Sequence, residues 1–256
     1  MISYLTANQL SLPDIHTAPD LHACGSLAII DTSSEPGLDR LDASHRTHIA
    51  YATSPAMLTW KPDYLQQFLE EMDMFCVASE YLQNQLSICV NHESTLLPFP
   101  VSEKINQPKK TKKKQIVAIA DSIEDNLEGI KAVFDALPDF NCIILPHDSA
   151  NCQQILAESW GYINMSRSSK YPVHFIQAGL ASCFIFVWSY HRFADKYPVH
   201  RFEDDQDGPL KIEEVFEASQ GALNTDIRKD MIRRHGLPQF KKNLTKIIES
   251  LIFQNK

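Results

Sequence analysis

The sequence predicts an α/β chain of two lobes, each a parallel sheet with helices on its faces. Three observations predict it. From residue 116 onward, short apolar runs alternate with stretches of helical period, the rhythm of βαβ units. Residues 102–115, SEKINQPKKTKKKQ, break the chain with a polar segment carrying five lysines within 109–114. Residues 211–254 read as helices only, the kind of tail that packs back across such lobes. The expected division is an N-terminal lobe over 1–101, a lysine-rich linker over 102–115 and a C-terminal lobe over 116–256.

In the first lobe, residues 1–25 show weak periodicity and two turn signals. Ser26 to Asp31 is a compact apolar strand ending on an acid, and 32–43 is a polar loop. His48 to Thr53 is a second strand. Lys61 to Met72 is a helix: Pro62 suits its first turn, and Tyr64, Leu65, Phe68, Leu69 and Met72 recur at three and four. Met74 to Ala78 is a third strand. Ser79 caps a helix over 80–88, and Pro98 and Pro100 keep 95–101 extended.

Past the lysine run, Ile116 to Ala120 is a strand. Asp125 to Leu137 is a helix stopped by Pro138, Asn141 to Leu145 a strand, and Ala150 to Ser159 a helix. Residues 161–187 follow as strand (Tyr162 to Met165), polar turn (Ser166 to Lys170), helix (Pro172 to Ala181) and buried strand (Phe184 to Val187). A strand feeding a helix N-terminus through small residues builds a phosphate pocket in an open α/β sheet. Arg167 and Lys170 stand where a cation opposes the helix dipole. They fit an anion bound between them or a solvated turn. Ser166, Ser168 and Ser169 are available for capping or phosphate hydrogen bonds. The run 188–207 reads as a surface loop with a short strand.

Composition narrows the function classes. The chain has 256 residues, 44% hydrophobic, with no apolar run long enough to span a bilayer. The first residues lack a secretory pattern, so a cytoplasmic protein is expected. The net charge of −8 argues against a nucleic-acid binder. Six scattered cysteines form no Cys-x-x-Cys, so neither a disulfide framework nor a zinc site is expected. Eight glycines make no P-loop and no Gly-x-Gly-x-x-Gly, and no Gly-x-Ser-x-Gly elbow is present. Lys109 to Lys114 form a solvated linker or a basic patch for peripheral contact with an anionic membrane.

Several segments, in order, resemble the GT-B glycosyltransferases of the family 4, or group 1, type. Phe75-Cys-Val-Ala-Ser-Glu-Tyr-Leu and Leu96-Leu-Pro-Phe-Pro-Val101 resemble the end of that family's first lobe. Ile116 to Ala136 resembles the opening of its second. Ile163-Asn-Met-Ser-Arg-Ser resembles its strand–serine–arginine–serine entry to the donor site, and Tyr171-Pro-Val-His-Phe-Ile-Gln-Ala-Gly resembles the helix that follows. The resemblance covers roughly 70–255.

It implies two Rossmann-like lobes, the second binding a nucleotide-sugar donor and the first a glycan, lipid-linked or protein acceptor, with no tightly bound metal or other cofactor. Catalysis would rest on stabilising the leaving diphosphate. The implied donor residues are Ser166, Arg167, Ser168, Ser169, Lys170 and Gln177. Asp31, at a strand's carboxyl end, is the candidate catalytic base. The sequence departs from the family where two glutamates with seven residues between them are expected: those positions hold Ser169 and Gln177. Gln177 keeps a carbonyl acceptor for a ribose hydroxyl, weaker than a carboxylate. Residues 121–128 are acidic where a basic pair is expected, and one βα unit before the donor loop is missing. A degenerate module that keeps the fold and binds a partner or acts as a chaperone is the alternative.

Overall fold

The computed structural model describes residues 2–5, 27–31, 47–52, 57, 59–89, 92–98, 100–101, 104, 107–120, 125–166 and 173–254. The chain divides into two compact units, Met1–Phe99 with Pro238–Lys256, and Pro100–Leu237. The division falls at 99/100, and the last helix groups with the first unit.

The first unit holds a parallel sheet of five strands in sequential order: β1 (Ile2–Leu5), β2 (Leu27–Asp31), β3 (Thr47–Ala52), β4 (Met74–Val77) and β5 (Thr95–Leu96). β1 has no counterpart in the sequence reading. Helix α1 (Pro62–Glu70) buries Leu65, Phe68 and Leu69, three positions of the predicted stripe. They join Phe75, Val77, Leu82 and Leu86 in one core, where Trp60 meets Tyr64 and Phe68 edge-on at 5.8 and 5.4 Å. Ser79 caps α2 (Glu80–Cys89) as expected, its Oγ accepting from Leu82 N–H at 3.2 Å. Phe240 of the last helix, α8 (Leu237–Gln254), lies against Tyr51 with ring centres 6.5 Å apart.

The second unit runs β6 (Lys113–Ile119), α3 (Leu127–Asp135), β7 (Asn141–Leu145), α4 (Cys152–Glu158), β8 (Ser159–Asn164), α5 (Val173–Leu180), β9 (Phe184–Trp188), β10 (His200–Phe202), α6 (Asp207–Ser219) and α7 (Thr225–His235). The loop read over 188–207 holds a short 3-10 helix (Arg192–Lys196) before β10. All five strands are parallel, in the order β10-β9-β8-β6-β7. Trp160 anchors one face, with Phe140, Phe184, Phe186 and Phe216 around it at 4.9 to 6.1 Å.

The lysine run is part of this unit: four of its lysines are exposed, and Lys112 is half-buried. β6 begins at Lys113. The ammonium of Lys112 donates to Leu156 O at 3.1 Å and Ala181 O at 2.6 Å. Those carbonyls lie at the C-terminal ends of α4 and α5, where a cation satisfies orphan acceptors and complements the dipole. Burial lowers the Lys112 pKa, the Cys183 thiol opposes that shift, and Arg228 adds to it. Lys109 and Lys113 both pair with Glu158 and draw its carboxyl down to about 2. Lys114 lies over the rings of Phe140 and Phe216 at 4.4 and 4.9 Å.

Candidate functional site at the strand switch point

The order of the second sheet fixes where a ligand site forms. The chain leaves β6 for β7 on one side, then crosses to β8 on the other. Ligands bind outside the carboxyl ends of strands at such a reversal. The sequential order β1-β2-β3-β4-β5 has no reversal, so the topology points to the second unit. The residues that meet at the reversal follow Ile119, Leu145 and Asn164.

β8 ends in an Asx turn: Ser166 N–H donates to Asn164 Oδ1 at 2.8 Å. Beneath it the first turn of α3 approaches tightly. A Cβ on Gly129 would lie 2.8 Å from Met165 Cε and 2.5 Å from Asn126 Nδ2. Asn126, which precedes α3, takes a left-handed conformation that this residue tolerates better than most.

A polar chain lines the site. Asp125, buried ahead of α3, has Oδ2 3.0 Å from His147 Nε2. His147 follows the end of β7, and its side chain is 46% exposed, so solvent and ligands reach it. Its ring lies 5.4 Å from that of His174 in the first turn of α5, tilted by 31°. His174 Nδ1 in turn lies 3.0 Å from Gln177 Oε1 and 3.6 Å from Cys152 Sγ.

Burial lowers the His174 pKa, the Gln177 hydrogen bond opposes that, and His147 adds to the lowering. The Nδ1 of His174 faces the amide oxygen of Gln177, which can only accept. Burial pushes the Cys152 thiol up to about 11, so it is protonated and no nucleophile. The Tyr162 phenol is raised by burial above all. Among the described residues, Asp125 supplies the carboxylate of this chain of contacts.

Ser166 follows β8, and Gln177 lies on α5. Arg167, Ser168, Ser169 and Lys170 lie outside the described residues. Asp31 closes β2 in the first unit, at the strand's carboxyl end. Asp125, His147 and Cys152 were missed as site residues. Asp125 belonged to an acidic loop read as repulsive, and His147 followed a strand read as scaffold. Their common signal is position: each follows the carboxyl end of a strand beside the reversal. Among the described residues, no group of three or more His, Cys, Asp or Glu is placed to hold a metal ion. No helix among them is long and apolar enough to cross a membrane.

The fold is that of the GT-B glycosyltransferases. TarM of S. aureus matches with a TM-score of 0.66 at 11% identity, over 87% of this chain and 54% of its own. The pneumococcal O-GlcNAc transferase GtfA, in complex with UDP and GlcNAc, matches with 0.61 at 13% identity, over 90% and 57%. Sucrose-phosphate synthase from Thermosynechococcus elongatus matches with 0.68 at 9% identity, over 89% and 74%. The chain thus spans little more than half the length of TarM or GtfA. No family model matches the sequence, and no curated protein is similar enough in sequence to match it. The likeness is one of fold.

Proposed function

We propose that this chain is a nucleotide-sugar-dependent glycosyltransferase module that takes the donor's nucleotide at the β6/β8 reversal. The observation that carries the reading is the unit β8, Ser166 turn and α5, set at the strand reversal of the second sheet in a fold shared with enzymes seen with UDP. Ser166 and the start of α5 receive the diphosphate, Arg167 and Lys170 neutralise it with Ser168 and Ser169 beside them, and Gln177 accepts from a ribose hydroxyl. Asp31 serves an acceptor hydroxyl as base. A glycan, lipid-linked or protein acceptor completes the reaction.

The test is calorimetric titration with UDP, GDP and ADP and their glucose conjugates, followed by a transfer or donor-hydrolysis assay. Binding that the Arg167→Ala, Lys170→Ala pair abolishes supports the reading. The absence of binding at millimolar concentrations of every nucleotide sinks it.

One observation favours a second reading. The amide oxygen of Gln177 is already engaged by His174, and the wall at the reversal carries Asp125 instead of a cation. A module so arranged keeps the fold, binds no nucleotide and serves a partner protein. It predicts no activity in any variant and partner binding that survives the double alanine substitution.

A further inference from the structure

The two edges of the second sheet are built differently. β10 is three residues long, follows Pro198 and carries His200 and Arg201, so its edge is short and polar. Short charged strands and prolines are how proteins keep edges from pairing. β7 has none of these devices. Its five residues, Asn-Cys-Ile-Ile-Leu, hold no charge and no proline, and they pair with β6 in unbroken register. Cys142, Ile143, Ile144 and Leu145 are all half-buried. Apolar side chains on both faces mark the interior strand of a parallel sheet. In the six-stranded doubly wound order another strand lies outside this position; here no other strand pairs there among the described residues.

We propose that β7 is a dimer seam, pairing antiparallel with β7 of a second copy of this chain. Ala120 N–H donates to Leu145 O at 2.8 Å, so Leu145, and with it Ile143 and Asn141, turns its backbone groups toward β6. Cys142 and Ile144 then direct theirs outward. A two-fold axis at Ile143 puts Cys142 of one copy opposite Ile144 of the other. In this register those residues exchange both hydrogen bonds, and Ile143 faces its own copy across a close, non-hydrogen-bonded pair.

The same axis sets Asp139, exposed before the strand, opposite His147 after it, at both ends of the seam. Unlike groups meet, and no two like charges face each other along the strip. That self-complementarity favours a second copy over an unrelated strand, and it matters for a chain of net charge −8.

Light scattering on the full chain across a concentration series reads the outcome. The seam predicts twice the chain mass, with return to the single-chain mass in Ile143→Lys, which sets like charges face to face. A circular-dichroism melt checks that this variant folds. Ile143→Cys gives an independent reading. Cα atoms of such pairs lie about 4.5 Å apart, within disulfide range. Mild oxidation should cross-link this variant, while wild type and Lys110→Cys stay single chains on a denaturing gel. A single-chain mass at every concentration overturns the proposal. So does a dimer that Ile143→Lys leaves intact and Ile143→Cys fails to cross-link.

Discussion

Gln177 accepts a hydrogen bond from His174 one turn earlier on α5, with Nδ1 and Oε1 3.0 Å apart. The residue assigned to a ribose hydroxyl is therefore already held by its own helix. Replacing the amide by a carboxylate changes both partners. Gln177→Glu places a negative charge beside an imidazole whose pKa burial lowers. The His174 titration followed by NMR should then move to higher pH than in wild type. If the site binds a nucleotide, the imidazole competes with ribose for the new carboxylate. The double variant Gln177→Glu, His174→Ala should bind nucleotide about ten-fold more tightly than wild type, and Gln177→Glu alone by less. Calorimetry on the three proteins separates these outcomes.

His191 gives the second unit a pH dependence of its own. It is buried against Phe175, rings 6.1 Å apart and nearly parallel, and its Nδ1 meets no partner among the described residues. Burial, with Arg201 nearby, brings its pKa from 6.5 to about 4. Between those values the unfolded chain holds a proton that the folded chain does not. Stability from this group is thus full above pH 6.5 and falls as the pH drops toward 4, by about 3 kcal/mol at most. His191→Phe should flatten that part of a urea-denaturation series against pH. Some slope persists, because burial lowers His174 and His200 in the same direction.

The legible part of the fold was the alternation. Leu65, Phe68 and Leu69 read as a stripe because a helix buries every third or fourth residue, and 161–187 read as strand, turn and helix because its polar break lies between two apolar runs. Lys112 was not legible. Composition marks five lysines as solvated, yet only the packing of α4 and α5 reveals two carbonyls waiting for one of them. The site shows the same limit. Gln177 was singled out by the resemblance of its segment to the family's donor helix, a local signal. Asp125 and His147 are 22 residues apart in sequence and meet only because β6 and β7 are neighbours.

Lys112 carries a stability prediction. Lys112→Met keeps the aliphatic stem and removes the donor, leaving Leu156 O and Ala181 O without the cation that caps them. A charge-assisted hydrogen bond contributes about 1.5–3 kcal/mol, so a loss in this range is expected. Chemical denaturation measures it. Lys110→Met is the control: that residue is exposed, and its loss should change stability by less than about 0.5 kcal/mol.

The packing of α5 on α7 sets a last expectation. A Cβ on Gly179 would lie 2.6 Å from Met231 Cγ and 3.0 Å from its Cε, with Ile227 Cγ1 at 3.3 Å. Glycine in mid-helix costs about 1 kcal/mol relative to alanine, so its presence here reflects the approach of α7. Gly179→Ala recovers that propensity but overpacks the contact by about 1–3 kcal/mol. Met231 is unbranched and yields in part, although the nearest atom, Cγ, lies close to its backbone. A net loss of about 1 kcal/mol should follow. In a Met231→Ala background the obstruction is gone, and the same Gly179→Ala change should stabilise the chain. A double-mutant cycle by chemical denaturation reads that reversal of sign. Because α5 carries His174 and Gln177, the single variant should also displace the His174 NMR signal, and the double variant should restore it. Equal effects of Gly179→Ala in both backgrounds would show that the α5–α7 contact does not require glycine.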